Sequence, residues 1–242
     1  MTEQTTGRPQ MTPEVRRAIV QWIVQSALGM IGYGVLLFVA AGTVRWPWGW
    51  VLLALLTAFM AGHVVLLVPI NPELLAEREK GVLAKGVKTW DKWIAMLGGG
   101  VLPIVSWLLA ALEYSWRGEV LPLAWHLLGV VVSVAGYGLF LWALRANAFF
   151  AEGVRIQEER GHTVASGGPY RYVRHPGYVG AILGLFGAPL VLGSVRALIP
   201  AVGAAALYVL RTYLEDRTLT AELPGYREYT HQTRYRLLPG VW

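Results

Sequence analysis

Six apolar segments dominate the sequence and constrain its fold more than any other feature. Only 15% of the residues are charged, against about 25% in soluble domains. A helix needs about 20 residues to cross a hydrocarbon layer of about 30 Å, and the first four segments reach or approach that length. The sequence therefore predicts an all-α, polytopic transmembrane protein in a lipid bilayer. The segments are residues 18–44, 48–70, 94–112, 120–144, 178–192 and 197–210.

The last two apolar segments are shorter than the others and contain Pro189 and Pro200. Gly193 and Ser194 lie between them and favour a turn. We expect these segments to form a short helical hairpin whose arms need not span the whole bilayer. The hairpin returns the chain to the side of the membrane that it left.

The charged residues indicate the orientation of the segments. Three of the 21 Lys and Arg residues, Arg45, Arg117 and Arg196, fall in loops on one side. The others fall in the N-terminal tail, the second and fourth loops and the C-terminal region. This asymmetry follows the positive-inside rule and predicts six crossings with both termini cytoplasmic. It also accounts for the net charge of +6, so we expect no nucleic-acid partner.

The same pattern divides the chain into three parts. Residues 1–17 form a polar N-terminal tail, and residues 18–145 contain four transmembrane helices. Residues 71–93 within that second part are an amphipathic stretch, which we interpret as a connector on the cytoplasmic surface rather than the cover of a site. Residues 146–242 form the third part and carry most of the candidate chemistry. His63 is a lone histidine in the second segment, and either packing or a pocket explains it.

Two polar clusters in the third part flank the short hairpin. The first is the loop 162–178, where glycines and prolines forbid a regular helix and leave the backbone accessible among tyrosines, arginines and histidines. The second contains Arg211 and Glu215, which are four residues apart and share one face of a helix. Because the hairpin brings the clusters to the same side of the membrane, we expect them to form one site for an anionic or aromatic small molecule.

Several other chemistries lack their motifs in this sequence. There is no nucleophile elbow, no zinc-protease helix motif, no phosphate-binding loop and no dinucleotide-binding glycine motif. The chain has no cysteine, which excludes a thiolate metal site or a cysteine nucleophile. His162 and His175 lack companions at metal-ligand spacing, so we expect no metal.

The run from Gly168 to Gly180 contains the pattern Arg-His-Pro-x-Tyr-x-Gly, and Glu215, Asp216 and Leu219 follow about forty residues later. This arrangement resembles the isoprenylcysteine carboxyl methyltransferase family and the related phospholipid methyltransferases. The resemblance covers roughly residues 147–242. The first four segments are similar to those families only in being membrane helices.

The resemblance implies an S-adenosylmethionine-dependent methyltransferase, with the cofactor held at the cytoplasmic face by the loop and the C-terminal helix. It also implies that Arg211 contacts the substrate. Two departures are present, because Gln157 aligns only with a gap and the family's Glu-Glu pair is Glu215-Asp216 here. The implied cofactor-binding residues are Gln157, His162, Thr163, Val164, Ala165, Tyr170, His175, Pro176, Gly177, Tyr178 and Glu215.

The implied reaction is direct methyl transfer to a lipophilic or small-molecule acceptor. A carboxylate or thiolate acceptor needs no general base, and Arg211 together with Arg174 would position it as the catalytic pair. An amine acceptor needs a base, for which Glu215 and His175 are the candidates. The sequence leaves the choice among carboxylate, amine and thiol open.

Two other functions are compatible with parts of the sequence. A transporter or scaffold subunit predicts ionisable residues deep in the helices, and His63 is almost alone there. A membrane reductase with a similar C-terminal half predicts a nicotinamide cofactor instead of S-adenosylmethionine.

Overall fold

The computed structural model describes residues 11–119 and 121–242, and the regular structure in these residues is entirely helical. Three short 3₁₀ turns, at residues 81–83, 158–160 and 168–171, lie between the helices. The helices are α1 Pro13–Ala41, α2 Pro47–Leu67, α3 Pro72–Glu79, α4 Thr89–Met96, α5 Leu102–Arg117, α6 Leu123–Ala146, α7 Pro176–Val191, α8 Leu198–Glu222 and α9 Tyr226–Gln232. The prediction of an all-α bundle is confirmed.

Five of the described helical stretches are long and apolar enough to cross a membrane. They are α1, α2, α6, α8 and the continuous stretch Thr89–Arg117, in which a π turn at Leu97–Val101 joins α4 to α5. Helix α7 has 16 residues and is shorter than these spans. Helix α8 has 25 residues in all and continues from the sixth apolar segment through the polar cluster at its C-terminal end.

Two predicted boundaries also differ from the structure. The predicted tail lies largely outside the described residues, but Pro13 already begins α1, where the Thr12 side chain accepts a hydrogen bond from the backbone N–H of Val15 at 3.3 Å. The third membrane helix begins at Thr89 instead of Ile94. Asp91, which the sequence placed in the connector, therefore lies in the first turn of α4.

Helices α6 and α7 are in backbone contact because glycines face each other along their interface. A Cβ atom on Gly136 would lie 2.7 Å from the carbonyl oxygen of Gly180, and one on Gly180 would lie 2.5 Å from that of Gly136. Small residues permit this approach in a membrane, where van der Waals packing drives helix association. The contact fixes the start of α7, which carries much of the candidate site, against α6.

The polar loops meet at one end of the bundle. The backbone N–H of Lys88 bonds to the carbonyl oxygen of Val154 at 3.0 Å, which joins the α3–α4 region to the loop 147–175. The backbone N–H of His175 bonds to the carbonyl oxygen of Arg236 at 3.0 Å, which joins the C-terminal segment to the same loop. Within the C-terminal segment, the Arg236 guanidinium lies 5.0 Å from the ring centroid of Trp242.

The glycine interface predicts different effects for two substitutions on α6. We expect Gly136→Ala to lower the free energy of unfolding by about 1–3 kcal/mol, because its methyl group would force the two backbones apart. Gly138→Ala is the matched control, because no atom lies within 4 Å of a Cβ there. Detergent-based unfolding followed by circular dichroism measures both variants. Equal stability of the two variants would contradict the proposed packing.

Candidate functional site

The first pocket lies where the loop 147–175, the start of α7 and the polar end of α8 meet. It has about 490 Å³ of empty space, a figure that includes the solvent at its open mouth. The structure brings together every predicted cofactor-binding residue except Gln157 and Pro176. Those lining the pocket are His162, Thr163, Val164, Ala165, Tyr170, His175, Gly177, Tyr178 and Glu215, together with Asn147, Phe150, Arg174, Leu219, Leu223 and Tyr226.

The turn at residues 175–177 shapes one wall of this pocket. Pro176 is the first residue of α7, a position where its missing N–H costs nothing, and it is buried without lining the pocket. A Cβ on Gly177 would lie 2.3 Å from the Phe150 ring, so glycine allows that ring to pack over the turn. Pro176 therefore contributes by starting the helix rather than by lining the pocket.

Glu215 supplies the negative charge on the lining of the first pocket. The Tyr178 hydroxyl donates to its Oε2 atom, and Oε1 makes no hydrogen bond to any described residue. The Tyr178 ring lies parallel to that of His175, with centroids 5.7 Å apart. The guanidinium of Arg211, a residue of α8, lies 5.2 Å from the centroid of the Tyr178 ring. Tyr178 therefore separates Glu215 from Arg211, although these two residues are one helical turn apart.

Asp216, the other member of the acidic pair, points away from the pocket and organises the C-terminal segment. It is 5% exposed and accepts a fork of two bonds from Arg174, at 2.7 and 2.9 Å. Arg236 Nε donates to it at 2.8 Å and the Tyr226 hydroxyl at 3.0 Å. Burial and this neighbouring carboxylate raise the pKa of Tyr226, so its hydroxyl stays protonated and donates. No local feature of the sequence predicted this role of Asp216.

Arg174 is at odds with its predicted role in positioning an acceptor. Besides the fork to Asp216, its Nη1 atom donates to the carbonyl oxygens of Thr233 at 2.9 Å and Arg234 at 2.6 Å. The guanidinium is buried and its donors are committed to these partners. Arg174 therefore holds the C-terminal segment against the loop.

Gln157 also differs from its predicted role. Its side chain is buried, donates to the carbonyl oxygen of Phe149 at 2.7 Å and accepts from Arg160 at 2.5 Å. Its backbone N–H donates to His162 Nδ1 at 3.3 Å, and the His162 ring stacks on Phe149 with centroids 4.5 Å apart. Gln157 shapes the loop from beneath, and His162 is the residue that reaches the pocket.

Arg211 is fixed by a carboxylate that the sequence analysis did not identify. Its Nε and Nη2 atoms donate to Asp91, at 2.6 and 2.9 Å, and Nη2 also donates to the carbonyl oxygen of Glu152 at 2.5 Å. Asp91 is fully buried and accepts a further bond from the backbone N–H of Val154 at 2.7 Å. The sequence contained one signal for Asp91: it is a lone acid at the start of an apolar segment, where a charge requires a partner.

Arg211 lines a second pocket on the other side of Tyr178, with about 690 Å³ of space including its mouth. Arg78 of α3 lines it too, so part of the stretch that we interpreted as a connector lies beside this pocket. Tyr178 and Phe150 line both pockets, and they also line a smaller space whose lining includes both Arg211 and Glu215. The second pocket is lined by Arg78, Val82, Ala95, Gly99, Phe140, Phe150, Ala151, Glu152, Tyr178, Tyr208 and Arg211.

His63 packs among aromatic rings and lines neither pocket. Its Nδ1 atom lies 2.9 Å from the carbonyl oxygen of Phe59, and its ring centroid is 5.5 Å from that of Trp22. Within residues 11–119 and 121–242, no three His, Asp or Glu side chains are grouped as metal ligands.

The fold and the site define an integral membrane protein with two adjoining polar pockets at one end of a helical bundle. Residues 124–223 match the family model described as phospholipid methyltransferase (PEMT), which confirms the predicted resemblance. The chain is also 33% identical over 137 residues to the cobalt-zinc-cadmium resistance protein CzcN of Cupriavidus metallidurans. That alignment covers 54% of this chain and 58% of CzcN, so the chain spans less than two thirds of that relative.

The region matched by the family model contains α6, the loop, α7 and α8. It therefore includes nearly all of the lining of the first pocket. Asp91 and Arg78 lie outside it. Arg78 lines the second pocket, and Asp91 holds Arg211, which also lines that pocket.

The surroundings of His162 predict a pH dependence. Burial, together with Arg160 and Arg155, lowers the pKa of His162 to about 4 from an ordinary value near 6.5. The folded protein thus favours the neutral ring, while the unfolded chain binds a proton below about pH 6.5. The stability contributed by this group is present above pH 6.5 and is lost as the pH falls towards 4.

Histidine NMR titration in detergent micelles, assigned with His162→Gln, measures this pKa. We expect a midpoint near 4 for His162, and a smaller loss of stability between pH 6.5 and 4 in the variant than in the wild type. A midpoint near 6.5 would show that the ring is solvated and not held against Phe149.

Proposed function

We propose that this protein is an integral membrane methyltransferase that uses S-adenosylmethionine at the cytoplasmic face. The observation that carries the proposal is the adjacency of two pockets, one with a free carboxylate oxygen on Glu215 and one with the Arg211 guanidinium, separated by Tyr178. The match of residues 124–223 to a methyltransferase family supports it.

The first pocket fits the proposed cofactor in chemistry. The Glu215 carboxylate retains an unpaired oxygen for the ammonium group of the methionine part, as a charge-assisted hydrogen bond. The rings of Tyr170, Tyr226 and Phe150 offer apolar faces, and residues 162–165 offer backbone groups, for an adenosine part. When bound, S-adenosylmethionine supplies an electrophilic methyl group on a sulfonium.

The residues of this chain position the reactants and exclude water. Tyr178 is held by Glu215 on one side and lies under Arg211 on the other, so its ring fixes the boundary between the two pockets. Arg211, anchored by Asp91, presents a fixed cation on the acceptor side. Holding two reactants in line across such a boundary is a large part of the rate enhancement available to a transfer enzyme.

The acceptor is a lipophilic or small molecule whose nucleophile is a carboxylate, an amine or a thiol. For a carboxylate, Arg211 orients the anion and no base is required. For an amine a base is required, and the candidates remain Glu215 and His175, whose Nε2 atom is within 3.3 Å of Asp216 and 3.4 Å of the Tyr226 hydroxyl. His175 is thereby tied to the C-terminal segment.

Cofactor binding to the protein in lipid nanodiscs tests the proposal. We expect saturable binding of S-adenosylmethionine, weakened about 10- to 100-fold by Glu215→Gln because a charged partner of the ammonium group is lost. Glu228→Gln is the matched control, since Glu228 is exposed on α9. Absence of binding at millimolar S-adenosylmethionine, or binding of NADPH in its place, would refute the proposal.

The same samples separate binding from turnover. Arg211→Lys keeps a cation beside Asp91 but loses the fork, so we expect near-normal cofactor affinity with a much lower rate of methyl transfer from labelled cofactor to membrane extracts. Equal loss of affinity and turnover would contradict the assignment of Arg211 to the acceptor side.

A further inference from the structure

Arg78 is the second guanidinium of the second pocket, and it comes from α3, outside the region that matches the methyltransferase family. Building on the proposed function, we propose that Arg78 is an acceptor-binding residue that works with Arg211 to hold an anionic oxygen group of the acceptor, and that Glu152 limits this preference. A carboxylate or a phosphate has the chemistry that such a site recognises.

The surroundings of Arg78 leave part of its charge uncompensated. Its side chain is 9% exposed, and its Nη1 atom donates to the carbonyl oxygen of Phe150 at 3.1 Å. Its Nη2 atom donates to Glu152 at 3.2 Å, a carboxylate that is itself 34% exposed. The Nε atom is buried and has no partner among the described residues. The Nη1 and Nη2 atoms each carry a second N–H that bonds to no described residue, so this buried cation beside the pocket suits an anionic ligand.

Two further donors of the pocket have no partner in the described residues. The Nη1 atom of Arg211 makes no hydrogen bond there, because Asp91 and Glu152 engage only Nε and Nη2. The Tyr208 hydroxyl makes none either, and it faces Gly99 in the π turn, where a Cβ would lie 3.2 Å from it. Glycine at position 99 keeps space open beside this hydroxyl, and π turns are frequent at functional sites.

The balance of groups in the pocket favours an anion over a simple amine. The unfilled groups are donors on Arg78, Arg211 and Tyr208, and two of these residues carry buried positive charge. Glu152 is the opposing carboxylate of the lining, but it is partly exposed and already paired with Arg78. Glu152 is 34% exposed and water can solvate it without a ligand, whereas the Arg78 side chain is 9% exposed.

The anionic group has two possible sources. It is the reacting carboxylate itself, or it is the phosphate of a phospholipid whose neighbouring amine reacts. Both place an anionic oxygen between Arg78 and Arg211, so the binding test uses both chemistries and methyl transfer tells them apart.

The experiment measures binding of four twelve-carbon probes to the full chain in nanodiscs, after subtraction of binding to empty nanodiscs. We expect dodecanoate and dodecyl phosphate to bind about tenfold or more tightly than dodecanol and dodecylamine. Arg78→Gln should remove this preference and leave S-adenosylmethionine affinity unchanged. Lys80→Gln is the matched control, because Lys80 follows α3, pairs with Glu77 and lines neither pocket.

Two variants keep the test decisive if Arg78→Gln fails to fold. Glu152→Gln removes the opposing carboxylate, so we expect anion binding to strengthen. If the Arg78–Glu152 ion pair only supported the structure of the pocket, its loss would weaken anion binding instead. Tyr208→Phe removes an unpaired hydroxyl and should weaken anion binding by several-fold without loss of stability.

Several outcomes would overturn the inference. They are equal affinity for the charged and uncharged probes, equal loss of binding of all four probes in Arg78→Gln, or weaker anion binding in Glu152→Gln.

Methyl transfer distinguishes the two sources of the anionic group. Methylation of dodecanoate identifies a carboxylate acceptor, and methylation of phosphatidylethanolamine identifies a phosphate anchor. If S-adenosylmethionine binds and dodecylamine is methylated as efficiently as these acceptors, this inference fails while the proposed function stands. If S-adenosylmethionine does not bind, the proposed function itself fails.

Discussion

The buried ion pair between Asp91 and Arg211 is the interaction on which the polar end of the bundle depends. It joins the start of α4 to the middle of α8, and through the Val154 N–H and the Glu152 carbonyl it also fixes the loop 147–175. Removing one partner of such a pair leaves an uncompensated buried charge, at a cost of about 3–5 kcal/mol. The cation that faces the second pocket is thus in place before any ligand arrives.

A second buried carboxylate, Asp216, fixes the C-terminal segment in the same way, by ion pairs with buried or partly buried arginines. Asp216 and Glu215 are neighbours in sequence, but on a helix they point in different directions, one into the packed segment and one into the first pocket. Together the two buried aspartates hold α4, the loop and the C-terminus around α8. Glu215 and Arg211 are therefore left on one face of α8 with Tyr178 between them.

The apolar segments and the loop were predictable because their signals are local. Hydropathy identified the helices, and the Gly, Pro and Tyr pattern identified the wall of the first pocket. Asp91 and Arg78 were not identified as site residues, because their partners lie 120 and 74 positions away and nothing local reveals such pairs. Arg174 and Arg211 look alike in sequence, and only the packing shows that Arg174 is committed to backbone carbonyls and Asp216.

Under the proposed function, the elements that form the cofactor pocket differ from those that complete the acceptor pocket. The first pocket is built almost entirely from the region that matches the methyltransferase family, whereas α3 and α4 complete the second pocket from outside it.

The most direct test of the proposed arrangement of the two pockets is a structure of the protein in lipid with S-adenosylhomocysteine. We predict the ligand in the first pocket, with its amino group within hydrogen-bond reach of Glu215 and its sulfur facing Tyr178 and the second pocket. Ligand bound elsewhere, or with its sulfur directed away from the second pocket, would contradict the account.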